Sequence, residues 1–404
     1  MNIVSRTKEK QIRLKREDFM ENPYPLYESL RGISPIYKGS MLKQPGWFVT
    51  GYKEAALILK EPSFFTRIPL PRSTEKYGHL KRAQSKMMLY MNNHDHRKLR
   101  LLVNKGFTPK QVEEFKPLIE KITHSLLDEL IVKKEFDVVS EFAFPLTSLV
   151  IATILGVPEE DRKRFRVWAS ALLQSIDFSR SHKTLEESDR LIGELNDYFT
   201  LVIDKKRKKP CNDLISKLIK EEDKITNEEL IATSILLVIA GHETTVNLIS
   251  NTVLAFAKHP AQWELLKSDS SLVAPSIEEV LRYESPTQLT ARVAMKDTEI
   301  AGHQLTSGDQ IYLMLGAANR DPEVFEKPNE FIISRKSIPH LSFGMGAHFC
   351  LGSTLARLEA QAALAALLQR LNTYELVSNQ IKWRKLMGFR SLEQLRIKTF
   401  NTSK

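Results

Sequence analysis

The stretch that decides the fold runs from Phe343 to Gly352 and reads FGMGAHFCLG. Gly344, Gly346 and Gly352 surround Cys350, and an amphipathic helical pattern, STLARLEAQAALAALLQRL, follows at once. Glycines let the backbone fold tightly and approach a flat ligand with no Cβ in the way. A cysteine just ahead of a helix sits at the positive end of its dipole, among exposed N–H groups that favour the thiolate. Such a thiolate can be the axial ligand of a haem iron. A lone cysteine is more often a buried and inert one. The full ten-residue pattern reverses that preference.

The cysteine count agrees. Cys211 and Cys350 are the two cysteines in 404 residues, too few for a disulfide framework or for Cys-rich zinc and iron–sulfur sites. A single-thiolate centre is the Cys-based option that remains. The chain is too long for a small binding module, and its 42% hydrophobic and 27% charged residues are ordinary for a globular protein. The longest near-apolar stretch, around Ile231 to Ala240, falls short of a membrane span, and the basic first sixteen residues lack a signal peptide's apolar core. A cytoplasmic protein is expected, with no membrane association. The net charge of +10 favours acidic partners, but no zinc finger, aromatic RNA-binding pattern or phosphate-cradling loop points to nucleic acid.

Working outward, helical periodicity dominates from about Pro109 to Arg282, with no repeat and no linker between domains. One apolar helix is expected from the Thr226–Glu229 capping box to about Lys258, roughly 32 residues or ~48 Å, central and buried. The Lys205–Lys209 run before Pro210 reads as a solvated loop. PIYKGS and GWFVTGY bracket a turn signal at Pro45-Gly46, and EIAGHQL and QIYLMLG flank a hairpin turn at Ser307-Gly308-Asp309. The expectation is one mainly helical domain over residues 1–404 with minor β-sheet, the basic first twenty residues having little order.

FGMGAHFCLG resembles the haem-thiolate signature of the cytochrome P450 monooxygenases, F-x-x-G-x-[HR]-x-C-x-G. Three further motifs resemble that family in order. Glu279 and Arg282 match its E-x-x-R pair, implied to be structural. Ala240-Gly241-His242-Glu243-Thr244-Thr245 matches its oxygen-binding groove. An acid and a hydroxyl inside an apolar helix are costly unless something polar uses them, although back-bonding to the helix is the plain alternative. The resemblance implies catalytic roles for both, Thr244 bonding dioxygen and Glu243 relaying protons. His96 and Arg100 match the family's H-x-x-x-R helix, and Arg292 and His348 fall where it places further haem-propionate partners. Cofactor contacts are thereby implied for His96, Arg100, Ala240, Gly241, Arg292, Phe343, Gly344, His348, Cys350 and Gly352, with Cys350 the metal ligand. Leu236, Ile239, Leu289 and Phe389 are implied substrate contacts.

The resemblance covers about Asn22 to Phe400 and implies haem b as cofactor, with molecular oxygen as co-substrate. Stretches such as RYESPTQLTARVA and HLSFGMGAHFCLGSTLARLEAQ resemble the family's acyl-chain-cleaving members of biotin biosynthesis. Those act on long-chain fatty acyl groups, free or on acyl carrier protein, and cut them to a pimeloyl product. No flavin or nicotinamide fingerprint occurs, so electrons are expected from a separate ferredoxin or flavodoxin. Two alternatives stay open. One is a hydroxylase of a free fatty acid, macrolide or steroid. The other is a non-catalytic haem sensor or carrier, against which the Glu243-Thr244 pair argues.

Overall fold

The apolar run after Thr226 builds two helices where one was expected. The capping box forms, Glu229 N–H donating to Thr226 Oγ1 at 3.2 Å and Thr226 N–H to Glu229 Oε2 at 2.8 Å. The first helix then ends at Ala240 and a second begins at Glu243. Gly241 is a poor helix former, and His242 leaves helical geometry at φ −113° and ψ −76°. His242 is drawn sideways: its Nε2 lies 3.0 Å from Ser148 Oγ and its ring packs on Phe144 at 4.5 Å.

The computed structural model describes residues 12–14, 19, 21–41, 44–66 and 76–401. The helices that matter for the site are α1 (Asn93–Asn104), α2 (Arg162–Ile176), α3 (His182–Lys208), α4 (Asn227–Ala240), α5 (Glu243–Lys258), α6 (Val273–Tyr283) and α7 (Ser353–Arg370). The sheet holds β1 (Ile36–Met41), β2 (Gln44–Val49), β3 (Leu289–Ala294) and β4 (Gln310–Met314). Its order is Ile12–Leu14, β1, β2, β4, β3, Phe64–Phe65. This is the expected mainly helical single domain with minor sheet. The expected lack of order at residues 1–20 falls mostly outside the described residues, but Ile12–Leu14 pair with β1 as a parallel strand.

Several local readings are corrected. Lys205–Lys208 form the last turn of α3 and not a loop, where four cations complement the helix dipole. Within that turn Lys206 is buried, its Nζ 2.6 Å from Asp213 Oδ2. Pro45 and Gly46 pair with Ser40 and Gly39 inside the β1–β2 ladder instead of forming its turn. Gly46 is needed for close strand approach, since a Cβ there would lie 2.6 Å from the Tyr312 ring. Thr298–Ile300 pairs with His303–Leu305 around Ala301 and Gly302, whose φ of 50° and 77° suit a tight hairpin turn. QIYLMLG instead contributes β4, paired with β2 and β3. Two stretches, Val138–Leu155 and Asn227–Lys258, do reach membrane-spanning length and apolarity, but 67% and 78% of their apolar windows are buried inside the protein.

Glu279 and Arg282 are the structural pair expected. Both are fully buried, joined by two bonds of 2.8 Å. Arg282 also donates to the carbonyls of Asn319, Pro328 and Glu330, and Glu279 accepts from Arg335 and Ile332 N–H. The pair thereby ties α6 to residues 319–335, the lead-in to the cysteine loop.

Candidate active site

Cys350 sits in a loop that its own backbone builds. Its N–H donates to Phe343 O at 2.8 Å, Gly344 N–H to Leu341 O at 2.8 Å, and Phe349 N–H to Gly346 O at 3.1 Å. Gly346 has φ 72°, and a Cβ on it would stand 2.6 Å from Leu59 O, so this turn accepts glycine alone. α7 begins three residues after the cysteine. Burial pushes the Cys350 thiol up, while the Gly352 N–H and the charges of Arg100 and Arg357 pull the other way. Arg357 covers the Phe343 ring at 4.5 Å and grips Glu278 with two bonds of 2.7 and 2.9 Å. Burial opposes ionisation of Glu278, but His340 and Arg357 prevail and hold its carboxyl at about 2.

The loop forms one wall of a cavity of about 310 Å³ that opens to solvent. The opposite wall is the α4–α5 junction, with Leu236, Ile239, Ala240, Gly241, Thr244 and Thr245. His96, Arg100, Arg292 and His348 converge on it from α1, β3 and the cysteine loop, together with Phe343, Gly344 and Gly352. The His96 and His348 rings lie 4.0 Å apart. Burial lowers His96 to about 4 with help from the Arg100 charge, and burial lowers His348 to about 3 with help from His96, Arg292 and Arg100. His96 Nε2 is buried without a partner among the described residues. Two cations, two imidazoles and an orphaned ring nitrogen fit a planar ligand carrying carboxylates, whose charge would favour the protonated imidazoles. A thiol on one apolar wall completes the donor set that haem requires.

Three expected residues behave differently. Leu289 does not reach the cavity. Successive side chains of β3 alternate, so Thr290 and Arg292 face the cavity while Leu289 and Ala291 pack with Tyr37, Phe48 and Met314. Thr290 was therefore legible from Arg292 and the period of two. Glu243 is buried beside the cavity lining, its carboxylate 2.7 Å from Arg384 Nη1, while Arg384 Nη2 donates to Ser170 Oγ. Thr244 lines the cavity, and its hydroxyl donates to Ala240 O at 2.9 Å, as the back-bonding alternative expected.

Sequence reasoning missed Arg384 for want of any local signal. It also missed Glu359, four residues after Leu355 on the same face of α7. Glu359 lines the cavity with Oε2 lacking a partner among the described residues, and burial raises its carboxyl well above the usual range. Phe389 does line the cavity, joined by Leu173 and Ile176 of α2.

The Cytochrome P450 family model matches residues 20–389. The chain is 52% identical to the "Biotin biosynthesis cytochrome P450" of Bacillus subtilis (strain 168), over 94% of this chain and 96% of that one. It is 36% identical to "Polyketide biosynthesis cytochrome P450 PksS" of the same organism, over 94% and 96% respectively. Among solved structures it resembles P450BioI in complex with hexadec-9Z-enoic acid ligated acyl carrier protein. The TM-score there is 0.93 at 51% identity, covering 95% of this chain and 100% of that one. It also resembles CYP109E1 from Bacillus megaterium in complex with testosterone, with a TM-score of 0.86 at 36% identity over 95% and 99%.

Proposed function

This chain belongs to the cytochrome P450 family and is a haem-thiolate monooxygenase, and from that premise we propose that it oxidises long-chain fatty acyl groups carried on acyl carrier protein, cleaving them in-chain to a pimeloyl product for biotin biosynthesis. The observation that carries this reading is 51% identity to a protein solved with an acylated carrier bound. The apolar wall of Leu173, Ile176, Leu236, Ile239 and Phe389 supports it, because it suits an acyl chain.

In this reading Cys350 holds the haem iron, and His96, Arg100, Arg292 and His348 hold its carboxylates. The bound haem supplies the oxygen-activating redox chemistry. The protein's own task is to exclude water and to meter protons. Thr244 keeps its proton on Ala240 O, which leaves its oxygen lone pairs turned to the cavity as acceptors. Glu243 is the carboxylate that brings solvent protons, and to do so it must release Arg384. A ferredoxin or flavodoxin supplies the electrons. The cytoplasm is the proposed location, supported by two cysteines that remain unpaired.

The test is turnover of long-chain acyl carrier protein with an electron donor, followed by mass spectrometry of the carrier. Pimeloyl carrier is the expected product. Hydroxylated free fatty acid, with the carrier-bound chain left intact, would overturn the cleavage reading in favour of a hydroxylase.

A further inference from the structure

Deepening the acyl-carrier reading, on which it rests, we infer that the carrier docks on a cationic collar built from three segments distant in sequence. Residues 76–94, 178–185 and 376–392 each carry Lys or Arg and contain no Asp or Glu. The fold brings these three runs together. Tyr77 Oη lies 2.9 Å from His182 Nδ1, and Leu80 N–H donates to Asp189 Oδ1 at 2.8 Å, joining the first run to α3. Ser179 Oγ donates to Lys385 O at 3.2 Å, and Asp177 accepts the N–H groups of Met387 and Gly388, joining the second run to the third.

The collar adjoins the apolar end of the cavity. Ile176, which ends α2, lines the cavity, and Arg180, His182 and Lys183 follow it at the surface. Phe389 lines it from the third run, whose Lys382 is exposed. Arg82, Arg180, Lys183 and Lys382 form no ion pair with a described residue, and each is exposed. Of the acids next to the second run, Asp177 and Asp189 are engaged on backbone N–H groups and Glu187 on Arg190, which leaves Glu186 as the exposed acid beside Lys183. An unpaired basic rim beside an apolar cavity fits an acidic protein that delivers an acyl chain on a flexible arm. The basic end of α3 fits less well: Lys206 is buried on Asp213, Arg207 is held by Asp204 and Glu222, and the exposed Lys205, Lys208 and Lys209 lie at the far end of α3 from His182 and outside the cavity lining.

The experiment uses the haem-loaded protein and measures binding of palmitoyl acyl carrier protein by surface plasmon resonance at several salt concentrations. Arg180→Glu with Lys183→Glu, and separately Arg82→Glu with Lys382→Glu, should each slow association by about tenfold at low salt and flatten its salt dependence. Lys205→Glu with Lys208→Glu should leave association unchanged. Free palmitate, followed by the haem spectrum, should bind every variant within about twofold of wild type, which also reports an intact fold. Collar variants that bind the carrier as wild type does would overturn the inference while leaving the carrier reading standing. Equal loss of free palmitate would overturn it in favour of an anchor for the fatty-acid carboxylate. Failure of wild type itself to bind the acylated carrier would remove the carrier reading and the collar with it.

Discussion

Cys350 is anchored by the Phe343 carbonyl and faces the cavity, so replacing it tests the metal centre without moving the loop. Reduced wild-type protein with carbon monoxide should show the far red-shifted Soret band of thiolate-ligated haem. Cys350→His should lose that band yet keep some haem; persistence of the band would reject the ligand assignment. Thr244→Ala removes a hydroxyl that combines a cavity position with a helix back-bond. It should retain haem and substrate yet consume electrons with less product, releasing peroxide, and unchanged product per electron would sink the proton role. His242 tests pH dependence. Burial, aided by the Arg166 charge, lowers it to about 3, below the ordinary 6.5. The unfolded chain therefore binds more protons than the folded one between those values. Stability falls as pH drops from about 6.5 towards 3, by up to ~1.4 kcal/mol per pH unit from this group. His242→Gln should flatten that part of a denaturation-versus-pH curve; an identical slope would mean that His242 is not held neutral. At this scale the sequence was most readable where chemistry demanded a residue type, at Cys350 and the cationic set. Arg384 was unreadable because its role depends on a contact 141 positions away.

Elements were legible where their signals were local. The capping box at Thr226 and the helix after Cys350 follow from side-chain type and spacing alone. The α4–α5 break was not, because it rests on His242 reaching Ser148, a partner 94 positions away. Pro45-Gly46 misled for a related reason. Glycine serves both turns and crowded strands, and only the position of Tyr312 distinguishes them. The Glu279–Arg282 pair gives the element-scale prediction. Arg282 commits three nitrogens to Glu279 and to three carbonyls, a planar fork that lysine cannot reproduce. Arg282→Lys should cost about 3–5 kcal/mol, the range for breaking a buried pair, and should yield little haem-loaded protein. Chemical denaturation with near wild-type midpoint and haem content would show that the fork is dispensable.

For the whole molecule, the +10 charge becomes informative once it is placed on the fold. Arg97 and Lys98 are exposed on α1, the helix whose Arg100 donates to Phe349 O beside the cysteine. An electron donor is best served at this thiolate side, so Arg97→Glu with Lys98→Glu should slow reduction by about tenfold at low ionic strength, with the gap closing in salt. Stopped-flow reduction showing no difference would place the donor elsewhere. Composition could never have separated this face from the collar, since both are made of the same residue types. Arg396–Asn401 is the middle strand between Leu371–Leu376 and Glu135–Asp137, and Arg384 and Phe389 also arrive from that end. The Glu135 strand and Glu243 are therefore made long before the strand that pairs with the one and the counter-ion that meets the other. In that interval the nascent protein exposes an unpaired strand and an uncompensated acid, which makes it the time of greatest dependence on chaperones.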